Sequence, residues 1–98
     1  MASYKLTLAA QDEIDGEADR IDNDDAATRW IDDIHDALET LGRNPGIGHR
    51  RADLTSHDVH FWKFRKWAII YRKDTPITVV RIVSWSRVTS GFWFGPGW

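Results

Sequence analysis

The side chains able to do chemistry gather in the second half of the chain. The run His60-Phe61-Trp62-Lys63-Phe64-Arg65-Lys66-Trp67 interleaves aromatic rings with cations, a combination that can neutralise phosphates and stack on unpaired bases. The same letters describe a strand with aromatics in a core and cations in water, and both readings stand at this stage. Four histidines invite a metal reading, with His57-x-x-His60 the closest pair. Two imidazoles three apart need one helix turn and a third ligand, and these straddle a loop and a strand start with no cysteine to help, so no metal site is expected. His35, among Asp32, Asp36 and Glu39, reads as part of a solvated helix face. Ser84, Ser86 and Ser90 lack the strand-turn-helix setting of a nucleophilic serine, and no glycine-rich loop has phosphate-cradling spacing. Hydrolase and nucleotide-dependent classes are weakly supported, and no cofactor is expected.

Periodicity supplies the elements that must position these groups. Tyr4, Leu6 and Leu8 alternate, the pattern of a half-buried strand over 4–8. From Gln11, Ile14, Ala18 and Ile21 mark one helical face, with acids on the other and Gly16 weakening the segment. Asn23 or Asp24 can cap a second helix whose stripe Ala27, Trp30, Ile31, Ile34, Leu38 and Leu41 runs without interruption. The run Gly42-Arg43-Asn44-Pro45-Gly46-Ile47-Gly48 stops that helix, with glycine expected to supply positive φ. Val59–Phe64, Trp67–Arg72 and Ile77–Trp85 read as strands, with Asp74-Thr75-Pro76 turning the chain between the last two. The fold class is therefore α+β, in the order β-α-α-β-β-β, a helical hairpin packed on a mostly antiparallel sheet. Strict alternation in the last strand places Val80 and Ile82 against the helices. Arg81 and Arg87 then share the opposite surface, with Lys63, Arg65 and Arg72 beside them.

Ninety-eight residues make one domain, 1–98, ending in an aromatic, glycine-rich tail at 89–98. A composition 42% hydrophobic and 29% charged is that of a folding chain. Residues 1–42 carry twelve carboxylates against three bases, and residues 43–98 carry ten bases against three carboxylates. Such a dipolar domain points its basic surface at an anionic partner, a nucleic acid or an acidic protein. The absence of cysteine fits a reducing compartment, and no signal segment or long apolar run is visible, so a cytoplasmic protein without membrane contact is expected.

Against this background the chain resembles the ParE/RelE toxin superfamily, and most nearly its ParE-like members. The resemblance rests on Asn44-Pro45-Gly46-Ile47-Gly48-His49-Arg50-Arg51-Ala52-Asp53-Leu54, His60-Phe61-Trp62, Ile69-Ile70-Tyr71-Arg72 and Val80-Arg81-Ile82-Val83-Ser84-Trp85-Ser86-Arg87-Val88. These stand in the family's order, and the family's fold agrees with the order read from periodicity. Ser84-Trp85 replaces the family's usual His-Gly, and Val88 replaces its usual acid. What the resemblance implies is a toxin of a type II toxin-antitoxin pair that inhibits DNA gyrase by binding, with no catalytic residues, and with Lys63, Arg65, Arg72, Arg81, Trp85, Arg87 and Trp93 as target contacts. It also implies a ParD-like, DNA-binding antitoxin whose segment folds on the toxin in a hetero-oligomer. The alternative is a RelE-like, metal-independent mRNA endonuclease acting on the ribosome, in which Arg81 or Arg87 meets the developing phosphate charge and Lys63 or Lys66 acts as base. That chemistry needs a proton donor, and the tail offers Phe92 and Trp93 where such nucleases often place a tyrosine. A second alternative is a non-toxic relative that keeps only its antitoxin contact.

Overall fold

A computed structural model describes residues 3–51 and 57–90, without the side chains of 89 and 90. Strand β1 (Tyr4–Leu6) is shorter than its alternation suggests, because Thr7 ends it by capping the next element. The Thr7 hydroxyl accepts from the Ala10 amide at 3.1 Å and donates to the Val80 carbonyl at 2.7 Å. One residue thus starts helix α1 (Leu8–Arg20) and moors it to the sheet. Helix α2 (Asp24–Arg43) is capped by Asn23, whose side chain accepts from the Ala26 amide at 2.9 Å, and Asp24 and Asp25 sit at the positive end of its dipole. From the predicted stripe, Ile34, Leu38 and Leu41 are fully buried. Each contributes about 1.5–3 kcal/mol through removal from water. Trp30 packs at the margin of that core, edge-on to Trp67 with ring centroids 5.8 Å apart.

Helix α2 continues one residue past Gly42, so that glycine is not the stop. Asn44 ends it, its amide donating to Thr40 and Leu41 carbonyls and its side chain to Thr40. A single 3-10 turn (Pro45–Ile47) follows. The expected positive φ is absent here: Gly48 has φ −83°, ordinary extended backbone. Gly42 and Gly48 are needed for space. A Cβ on Gly42 would lie 2.3 Å from the Ser3 carbonyl oxygen, and one on Gly48 would lie 2.3 Å from the Tyr71 hydroxyl.

Strands β2 (His60–Phe64), β3 (Trp67–Arg72) and β4 (Ile77–Ser84) complete a sheet of order β1-β4-β3-β2. β1 runs parallel to β4 and the other pairs are antiparallel. The β2–β3 turn holds Arg65 at φ 55°, left-handed backbone carried by a non-glycine residue. In the β3–β4 ladder Ile70 pairs with Arg81 and Tyr71 with Val79, leaving Val80 as the extra residue of a bulge. The bulge corrects the simple alternation. Ile77, Val79 and Ile82 face the helices, while Val80 joins Val59, Phe61, Ala68, Ile70, Val83 and Val88 in a second cluster on the other face. Val88 belongs to a short helix α3 (Trp85–Ser90), which replaces the expected end of the last strand at Trp85. Among the described residues no helix is long and apolar enough to cross a membrane.

Candidate functional site

The basic and aromatic residues are brought together by a loop that Tyr71 holds in place. The Tyr71 side chain, fully buried on β3, donates its hydroxyl proton to the Pro45 carbonyl at 2.6 Å and accepts from the Gly48 amide at 3.0 Å. Burial pushes its pKa above the usual tyrosine value, and the Gly48 N–H partly opposes that shift. Just beyond the clamp, His49 and Phe61 exchange both backbone hydrogen bonds, at 2.9 and 2.8 Å. This pairing delivers Ile47, His49 and Arg51 to the outer edge of β2. Across that edge α3 supplies Trp85, whose amide donates to the Lys66 carbonyl at 2.7 Å. The result is a cavity of about 330 Å³ lined by Ile47, His49, Arg51, Phe61, Trp62, Lys63 and Trp85. The Lys63 ammonium lies 5.6 Å from the centre of the Trp85 ring, a cation-π contact. Of the residues expected to bind a target, Lys63 and Trp85 therefore do meet.

A larger groove of about 650 Å³ opens between α1 and the sheet. Its α1 wall carries Asp12, Glu13, Glu17 and Arg20, and its opposite wall carries Lys66, Trp67, Ser84, Ser86 and Arg87. Arg87 stands on this groove, apart from the Lys63–Trp85 cavity. Arg81 does not share an open surface with it. Both Glu13 oxygens accept from the Arg81 guanidinium, at 2.8 to 3.1 Å, and one also accepts from the Ile82 amide at 2.8 Å. The pair is largely shielded, with side chains 23% and 19% exposed. The hydrogen bond that Arg81 donates to Glu13 holds the Arg81 pKa above its ordinary value, outweighing the opposing effect of burial. The reason for the clamp is local. β1 pairs with β4 only as far as Val79, so the Ile82 amide beyond the bulge needs another acceptor, and α1 supplies one.

The remaining predicted contacts are dispersed. Arg65 reaches Asp33 of α2 at 3.0 Å and stacks 4.9 Å from the Phe64 ring centre. It helps line a third cavity, of about 370 Å³, with Arg29, Trp30 and Asp33. Arg72 pairs with Asp74 at 3.2 Å at the opposite end of β3. Trp93 lies outside the described residues, as does most of the tail. The expected common surface is thus at least three places. Sequence reasoning passed over His49, Arg51, Glu13 and Tyr71 as site-building residues. Their positions inside the Asn44–Leu54 and Ile69–Arg72 motifs were a signal for three of them, whereas Glu13 looks like any acid on a solvated helix. Among the described residues no group of three or more metal-ligating side chains converges. His60 lies against Tyr71, ring centroids 5.6 Å apart, with its Nδ1 buried and without a partner. Burial first, and then nearby Lys73, lower its pKa.

A family model described as ParE toxin of type II toxin-antitoxin system, parDE, matches residues 4–88. No curated protein matches the chain.

Proposed function

The chain belongs to the ParE toxin family of type II toxin-antitoxin systems, and from that premise we propose that it arrests growth by binding DNA gyrase in the cytoplasm, without cleaving a substrate. An antitoxin partner is implied by the family itself. The observation that supports binding over cleavage is the state of Arg81. A nuclease needs a cation ready to meet charge that develops on a phosphate, and of the two arginines open to that role, Arg81 is already engaged by Glu13 through three hydrogen bonds. Binding makes no such demand. It needs cationic and aromatic surface, and Lys63 with Trp85, and Lys66 with Arg87, provide that on the rims of two open cavities.

The test is expression from a tightly controlled promoter, with and without the adjacent gene, followed by two assays on the purified protein. Loss of gyrase supercoiling with mRNA left intact is the expected outcome. Ribosome-dependent cleavage of mRNA with normal supercoiling overturns the proposal, and unimpaired growth identifies a relative that has lost toxicity. A folded Trp85→Ala/Arg87→Ala variant that arrests growth as strongly as the wild type removes those two residues from the contact surface.

A further inference from the structure

The three cavities differ in a way that separates their ligands. The 650 Å³ groove mixes Asp12, Glu13 and Glu17 with its cations, and the 370 Å³ cavity includes Asp33. The 330 Å³ cavity has no carboxylate among its described lining residues. Its ionisable groups are His49, Arg51 and Lys63, and the rest of its wall is ring or hydrocarbon, including the half-buried indole of Trp85 on the face of the sheet that carries Phe61. Among the described residues Lys63 has no carboxylate against it. Its ammonium lies over the Trp85 ring, and such an exposed cation-π contact is weak, so the ammonium can turn to an arriving anion at small cost. The cavity lies at the lower end of the size range of small-ligand sites, about 300–1,000 Å³.

The surroundings add polarity of a suitable kind. Phe61 turns its N–H and C=O outward to His49, and in an antiparallel ladder the residue two further on turns the same way. The Lys63 backbone therefore points its donor and acceptor to the outer edge of the sheet, beside the cavity. A flat aromatic group resting on an indole would find a peptide edge within reach of its own polar rim, and its attached phosphate would meet the cations. We propose that this cavity takes one unpaired nucleotide of a single-stranded nucleic acid, its base against Trp85 and its phosphate against Lys63 and His49. An acidic peptide would use the cations alone and leave the indole idle; a duplex keeps its bases stacked inside, out of reach of the ring.

The site does not depend on the gyrase reading, and the two fail separately: supercoiling is read with gyrase present, and strand binding with the purified chain alone. The experiment measures fluorescence anisotropy of a labelled 20-nucleotide single strand across a salt series, with the matching 20-base-pair duplex and a glutamate-rich peptide as competitors. The single strand should bind at least tenfold more tightly than either. Lys63→Gln should weaken it severalfold and make the log-log salt dependence shallower by about 0.7, the loss of one phosphate contact on a single strand. His49→Gln should weaken binding as well, whereas Lys5→Gln, on the far edge strand β1, should not. Lys63 and His49 are exposed, so the folded state survives both changes, which a thermal melt verifies. Equal affinity for the duplex, equal competition by the peptide, or an unchanged salt slope in Lys63→Gln each overturns the assignment.

Discussion

Removing one oxygen atom should loosen the loop that carries His49. In Tyr71→Phe the ring stays in place, but the buried Gly48 amide loses its acceptor and the Pro45 carbonyl its donor. An unpaired buried amide costs about 1–3 kcal/mol, and the half-buried carbonyl, free to turn to water, adds about 0.5–1 kcal/mol. The expected destabilisation is therefore about 2 kcal/mol. In a 98-residue chain that corresponds to a melting temperature lower by roughly 8–16 °C. It also lowers the urea midpoint by about 1 M, with an unchanged slope. Gly48→Ala attacks the same contact from the other side, since the new methyl would stand 2.3 Å from the hydroxyl and 2.7 Å from a ring carbon. It should cost at least as much, through overpacking of about 1–3 kcal/mol together with the lost hydrogen bonds. Because Tyr71→Phe removes the closest clashing atom, the double variant should be more stable than the sum of the singles by about 1 kcal/mol. Urea denaturation of the four proteins measures all of this in one series. A loss below about 0.5 kcal/mol in Tyr71→Phe, or strict additivity in the double, refutes the claim that this hydroxyl holds the loop.

Other contacts give independent tests. Glu13→Gln should cost about 2 kcal/mol, because Arg81 keeps its shielded position without a counter-charge, and Glu13→Ala about 3 kcal/mol, because the Ile82 amide also loses its acceptor; equal urea midpoints for the two variants would contradict the second role. For His60 the folded pKa is lowered, so below the unfolded value of about 6.5 the unfolded chain binds the extra proton and stability falls with falling pH. His60→Phe should raise stability at pH 7 by about 1 kcal/mol, through loss of the unpartnered Nδ1, and should reduce the drop in melting temperature between pH 7 and pH 5. Tyr4 and Tyr71 both have raised pKa values. Their contribution to stability is full below about pH 10 and is lost as the pH rises through the folded values, so Tyr71→Phe should flatten the alkaline limb of a stability profile.

The parts readable from sequence are those fixed by neighbours along the chain. Asn23 as a cap and the buried face of α2 follow from local spacing and short side chains. So do the chain order of the elements from β1 to β4 and the end of α2 within the run 42–48. The misplaced features depend on contacts far away in sequence. Thr7 ends β1 because its hydroxyl finds Val80, 73 positions later. Arg81 reads from sequence as part of an open surface because its partner Glu13 is 68 positions distant and resembles its solvated neighbours. Trp85, the first residue of helix α3, reads as the end of the last strand because it favours a sheet and no proline or glycine interrupts Ser84-Trp85-Ser86. For the same reason the residues of the expected binding face lie at several places, and Lys63 meets Trp85 because both flank the same edge of the sheet.

The extra residue in β4 acts on sidedness much as a frameshift acts on codons. Upstream of Val80 the odd-numbered Ile77 and Val79 face the helices, and downstream the even-numbered Ile82 does. Delete that single position and the remaining letters alternate without a break, each still on the face it occupies now. Any comparison of this strand with one that lacks the bulge should therefore place its one-residue gap at position 80. A gap placed later would pair Arg81 with the wrong partner and exchange inside for outside over the intervening residues.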